Sequence, residues 1–232
     1  MLVARTAEEV AAQLRAQLVD AVLIDLAVGE EALRATQLAA DFPAHAFFAL
    51  SSAHAGDAPA IARAVRCGVT DVLLDGLDDP LLRERVQQLG FTRRFAAALE
   101  VPPPMLQLDA PLKQEVWARI VAHGGRPVRT DTLAQQLGMS REHLSRTFGR
   151  EAAGATGQEA LTLKRVIDLV RVIAAAELAK NPGHDLKDVA AVLAFASTSH
   201  LSVTAQRLVG AKATSLARLR TVDLLERFCH QP

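Results

Sequence analysis

The chain has 232 residues, half of them hydrophobic, with 26 Lys/Arg balancing 26 Asp/Glu to a formal net charge of zero. A hydrophobic fraction of 50% excludes a largely disordered chain, and an aromatic content of 4% leaves Ala, Leu and Val to build the core. No apolar run approaches the roughly 18 residues of a membrane helix, and the N-terminus lacks the basic-then-apolar layout of a secretory signal. A cytoplasmic location without membrane contact is expected.

In chain order, AEEVAAQLRAQL (7–18) carries helical periodicity, and DAVLIDL (20–26) is a short strand-like run that ends in an acid. EEALRATQLAADF (30–42) is helical again, followed by the strand-like AFFAL (46–50). APAIARAVRCG (58–68) predicts a helix, TDVLLDG (70–76) a third strand, and DDPLLRERVQQLG (78–90) a closing helix. Short apolar strands alternating with helices imply a parallel sheet covered on both faces. EVPPPMLQL (100–108) breaks the rhythm, because three consecutive prolines favour an extended, semi-rigid spacer. The expected organisation is an α/β domain over 1–99, a Pro-rich linker over 100–108 and an all-α domain over 109–232.

Helices are predicted in the second part over 109–123, 130–137, 140–151, 157–179, 185–193, 198–208 and 213–227. The two parts differ in charge. Residues 1–104 hold 9 Lys/Arg against 14 Asp/Glu, a net of −5, and residues 105–232 hold 17 against 12, a net of +5. A polyanion partner therefore belongs to the second part.

Within it, LGMSREHLSRTF (137–148) has a specific local logic. Gly138 can take the left-handed conformation that ends one helix, and Ser140 can cap the next. Leu144 and Phe148 share one face while Arg141, Glu142, Ser145 and Arg146 turn outward. Together with TDTLAQQL (130–137), this is the pattern of a helix-turn-helix with a polar and basic outer face. A second such unit lies in DLKDVAAVLAFASTSHLSVTAQRLVG (185–210), where Asp185 and Ser197 are the caps and Leu201 and Leu208 are apolar positions. LTLKRVIDLVRVIAAAELA (161–179) joins the two.

The chemistry of enzymes is not written here. GxGxxG, P-loop, HExxH and GxSxG are absent from the sequence, and His45, His54 and His123 have no partner recognisable from spacing. Cys67 and Cys229 lie far apart and read as reduced structural thiols. No metal site, cofactor or catalytic residue is expected.

LAQQLGMSREHLSRTF (133–148), Leu161 with Arg165, and VAAVLAFASTSHLSVTAQRLVGAKAT (189–214) together resemble the AraC/XylS-type DNA-binding domain. The second stretch carries that family's pattern at Val189–Ala190, Phe195, Ser197, Ser199, Leu201–Ser202, Arg207 and Gly210. It departs at Ala194 (usually Gly), Val203 (commonly basic), Ala205 (usually aromatic) and the missing proline after Gly210. The resemblance implies two helix-turn-helix units on a linker helix, entering successive major-groove segments of double-stranded DNA, with RNA polymerase as a further contact. By position in the motif, Glu142, Ser145 and Arg146 take the base edges in the first unit, and Thr198, Ser199 and His200 in the second. Arg141, Arg150, Lys187, Arg207 and Lys212 read as phosphate contacts or solvated charges, and Arg165 as a structural hydrogen-bonding residue.

The front part resembles a response-regulator receiver domain, of flavodoxin-like fold, from that family's third strand onward. Asp25 falls at the phospho-acceptor position, Ser51 or Ser52 at the hydroxyl switch position, and CGVTDVLL (67–74) follows the family pattern. The lysine expected after the last of these strands is Asp75, and the paired acids that hold magnesium have no counterpart. A phosphoryl-transfer site needs both that metal and that cation. The resemblance thus implies a degenerate domain, used for homodimerisation or signal input without phosphorylation of Asp25. An adaptor protein that kept the fold and lost specific DNA binding is the alternative, and an α/β enzyme a third reading.

Overall fold

The computed structural model describes residues 2–52, 55–76, 79–100, 104–149 and 161–230. Helix α1 (Ala7–Ala16) is capped by Thr6, whose hydroxyl oxygen accepts from the Glu9 N–H at 3.2 Å. It buries Ala7, Ala11 and Leu14 on one face. Strand β1 (Ala21–Asp25) follows, then α2 (Glu30–Asp41), β2 (Ala46–Ser51), α3 (Ala58–Arg66), β3 (Asp71–Leu74) and α4 (Asp79–Leu89).

The three strands form a parallel sheet in the order β1-β2-β3, with Leu23 opposite Phe48 and Leu50 opposite Leu73. On one face Val22, Ile24, Phe47 and Ala49 join small residues of α1 and α2, such as Ala11, Ala35 and Ala39. On the other, Ala46, Phe48 and Leu73 meet Leu82, Val86 and Leu89 of α4. The central strand is therefore apolar at nearly every position. On that second face of β1, Ala21 is half-buried against the cluster, while Leu23 is 44% exposed.

Helix α5 (Phe91–Ala98) was not foreshadowed by the periodicity. Gly90 reads as a helix stop, yet a new helix starts at once because Asp20 supplies its cap. The Asp20 carbonyl accepts from the Phe91 N–H at 2.8 Å, and its carboxylate accepts from the Thr92 N–H at 3.2 Å.

The remaining elements are helical: α6 (Pro111–Ala122), α7 (Thr130–Gln136), α8 (Arg141–Gly149), α9 (Leu163–Leu178), α10 (Leu186–Val192), α11 (Thr198–Val209) and α12 (Thr221–His230). The single helix expected over 213–227 is instead a 3-10 turn, Ala213–Arg218, and then α12. Leu219 is extended between them, and Asp223 accepts from the Arg220 N–H at 2.9 Å to start α12 afresh. Of the helix expected over 157–179, the described part begins at Leu163, with Thr162 accepting from the Arg165 N–H at 3.3 Å.

The chain divides into two compact units. One combines Met1–Arg94 with Leu178–Val192, the other Phe95–Glu177 with Leu193–Pro232. In the second, α9 is the core helix, with Val166, Leu169, Val170, Val172 and Ile173 to Ala176 fully buried. Trp117 of α6 is also fully buried, its ring N–H donating to the Leu99 carbonyl at 2.8 Å. No helix among the described residues is long and apolar enough to cross a membrane.

Candidate nucleic-acid interface

The turn between α7 and α8 forms as its residues dictate. Gly138 adopts φ 64°, and the Met139 N–H donates back to the Ala134 carbonyl at 3.0 Å. Ser140 then accepts from the His143 N–H at 3.2 Å and starts α8. Leu133, Ala134, Leu144 and Phe148 are buried, which fixes how α8 is rotated about its axis. The opposite face carries Arg141, Glu142, Ser145 and Arg146, all exposed. Glu142, Ser145 and Arg146, spaced i, i+3 and i+4, form one contiguous strip.

These side chains are lightly tethered. Arg141 pairs with Asp131 at 3.6 Å with both side chains 68% exposed, and the Arg146 Nε lies 3.5 Å from the Glu142 carbonyl. Exposed pairs of this kind contribute at most ~1 kcal/mol, so both guanidiniums are available to an incoming anion. Arg150 lies outside the described residues.

Helix α11 is built differently. Ser197 accepts from the His200 N–H at 3.0 Å, and Gly210 closes the helix in the left-handed conformation. Leu201, Thr204, Ala205, Leu208 and Val209 face inward. Thr198 is half-buried, whereas Ser199 and His200 are exposed. The His200 ring stands edge-on to Phe195 at 5.6 Å, and its Nδ1 lies 3.4 Å from the Ala196 N–H. His200 is thus partly committed to the preceding turn.

Arg207 is engaged inside the protein as well. Its guanidinium donates to Asp168 on α9 at 3.2 Å, and Asp168 also pairs with Arg171 at 3.6 Å. Asp168 is 8% exposed. Arg171 donates to the carbonyls of Leu193 and Ala194 at 3.0 and 3.1 Å, and its guanidinium lies 4.0 Å over the Phe195 ring. Burial pulls Arg171 below the usual guanidinium value, against which the Asp168 carboxylate holds it up. Arg165 places its guanidinium 5.1 Å over Phe228.

Sequence reasoning did not single out Asp168 and Arg171. The available signal was an acid and a base three residues apart within the otherwise apolar run VIDLVRVI (166–173) of α9, where a solvated pair has no water to face.

At the carboxyl ends of the three strands, Asp25, Ser51, Ser52 and Asp75 line a cavity of about 260 Å³. Asp25 accepts from the Ala27 N–H at 2.9 Å, capping the turn after β1. The Ser51 and Ser52 hydroxyls donate to Asp57 at 2.8 and 2.9 Å.

Residues 133–218 match the family described as a helix-turn-helix domain, so this stretch carries such a domain. Comparison with curated proteins finds no match, and comparison with solved structures finds none either.

Proposed function

We propose that the chain is a sequence-specific DNA-binding transcriptional regulator of AraC/XylS type, organised as an N-terminal domain over 1–99, a linker over 100–108 and a DNA-binding domain over 109–232. The match over residues 133–218 carries this reading. The exposed strip on α8 supports it and gives the first unit its chemistry. Arg146 makes a bidentate contact to a guanine edge, worth ~1–3 kcal/mol of discrimination, and Glu142 accepts from a cytosine amino group. Ser145 is the third base-edge residue. Arg141 and Arg150 hold phosphates and so set register without reading sequence.

The second unit reads less. Thr198, Ser199 and His200 donate or accept with little base preference, and Arg207 shares its charge with Asp168 before any phosphate arrives. Two helix-turn-helix units in successive major grooves are the arrangement this reading requires. The N-terminal domain is receiver-like and serves homodimerisation or signal input without phosphorylation, with RNA polymerase as a further partner. Asp75, in place of a charge-neutralising lysine, supports that exclusion.

One observation favours an adaptor instead: Val203, where a basic residue is common, is 66% exposed on α11. Salt-titrated binding to a pool of promoter fragments separates the two. A regulator retains selected fragments, with affinity falling steeply as salt rises. An adaptor retains none above background at low salt.

A further inference from the structure

The segment that leads into α10 is seated in the N-terminal unit by matched polar groups. Asn181 is 1% exposed, and its side-chain oxygen accepts from the Ala44 N–H at 2.8 Å. The Gly183 N–H donates to the Asp41 carbonyl at 2.8 Å, and the Gly183 carbonyl accepts from Arg15 at 3.0 Å. The His184 Nε2 lies 2.9 Å from the Leu14 carbonyl. A carbonyl only accepts, so Nε2 donates to it, while Nδ1 lies 3.1 Å from the Asn181 amide and 3.3 Å from the Leu178 carbonyl. Gly183 itself lies against Phe42, where an added Cβ would come within 2.5 Å of the ring. Arg15 also lies 3.9 Å from Asp188 of α10, whose Val189, Ala190 and Val192 are buried.

An apolar patch would hold this segment in several registers; matched donors and acceptors, with the Asn181 and His184 side chains buried among them, hold it in one. The helix so held lies inside the helix-turn-helix match, and α11 follows it after a short turn. We propose that this clasp makes the N-terminal unit the built-in partner of α10, and that the N-terminal unit sets the DNA affinity of the second helix-turn-helix through it. The second clause rests on the DNA-binding reading; the first does not. A signal received by the N-terminal unit then needs no separate transmission through the Pro-rich spacer, because both states of the clasp are states of the second helix-turn-helix segment.

The test uses the full chain. Gly183→Ala drives a methyl into Phe42, and Phe42→Leu in the same chain makes room for it. In Gly183→Ala, hydrogen exchange of the α10 amides is expected to accelerate at least tenfold together with that of α1, with α6 and residues 163–177 unchanged. The double variant is expected to recover most of that protection. On a fragment selected by the wild type, Gly183→Ala is expected to lose at least fivefold in affinity and the double variant to regain it. If Gly183→Ala does not fold, Asn181→Ala, which removes only the acceptor for Ala44, is expected to accelerate α10 exchange about threefold. Unchanged α10 exchange in the folded variant overturns the clasp. Accelerated exchange with unchanged DNA affinity overturns its control of binding. If the wild type binds no fragment, control of binding falls with the DNA reading, and exchange still decides the clasp.

Discussion

The guanidinium of Arg171 on α9 lies 4.0 Å over the ring of Phe195, the residue at the centre of the turn into α11. The same side chain donates to the carbonyls of Leu193 and Ala194, closing over that turn from one side. Asp168, one turn earlier on α9, balances its charge and reaches Arg207 on α11. One buried carboxylate thus anchors both the start and the far end of α11.

Asp168→Ala removes that anchor and leaves a largely buried arginine without its counter-charge. Breaking a buried pair from one side costs ~3–5 kcal/mol, and the exposure of Arg207 lowers the expectation here to ~2–3 kcal/mol. Asp168→Asn, which keeps a hydrogen-bond acceptor, is expected to cost less. Urea unfolding with unchanged m-values checks both.

Ala194 holds φ 53°, a left-handed conformation that costs an L-residue ~1–2 kcal/mol. Ala194→Gly relieves that strain but adds unfolded-chain entropy. The expected net result is a gain of ~0.5–1 kcal/mol, read as a thermal midpoint raised by a few degrees. No gain would mean that the turn tolerates alanine without strain.

His45 is 3% exposed, and neither ring nitrogen has a hydrogen-bond partner among the described residues. Burial first, then the charges of His184 and Arg94, lower its pKa from 6.5 to about 3, with Asp20 opposing. On acidification the unfolded chain takes the proton before the folded one does. The stability that neutral His45 contributes is complete above pH 6.5 and is lost as the pH falls toward 3, at up to ~1.4 kcal/mol per pH unit. His45→Phe is expected to be less acid-sensitive than the wild type over that window, measured as unfolding free energy against pH. Parallel curves for the two proteins would contradict the assignment.

Much of the fold was legible because it is local. The α7–α8 turn follows from Gly138, Ser140, Leu144 and Phe148, and the parallel sheet from three short apolar runs spaced by helices. What was not legible depends on partners distant in sequence. Helix α5 starts where it does because Asp20, 72 residues before Thr92, caps it. The seat of Asn181 is set by Ala44, 137 residues earlier. The break before α12 turns on the pairing of Arg220 with Asp223, which periodicity averages over. On α11 the motif placed Arg207 outward, yet the depth of Asp168 within α9 decides what its guanidinium meets.

The central claim is that the α8 strip reads sequence. The measurement that tests it most directly compares wild type with Arg146→Ala on a selected fragment and on a scrambled one, at one fixed salt concentration. The expected result is a loss of ~1–3 kcal/mol on the selected fragment with little change on the scrambled one, so that the specificity ratio collapses. In the same assay Arg150→Ala is expected to weaken both fragments equally. An Arg146→Ala protein that keeps the wild-type specificity ratio would contradict the account.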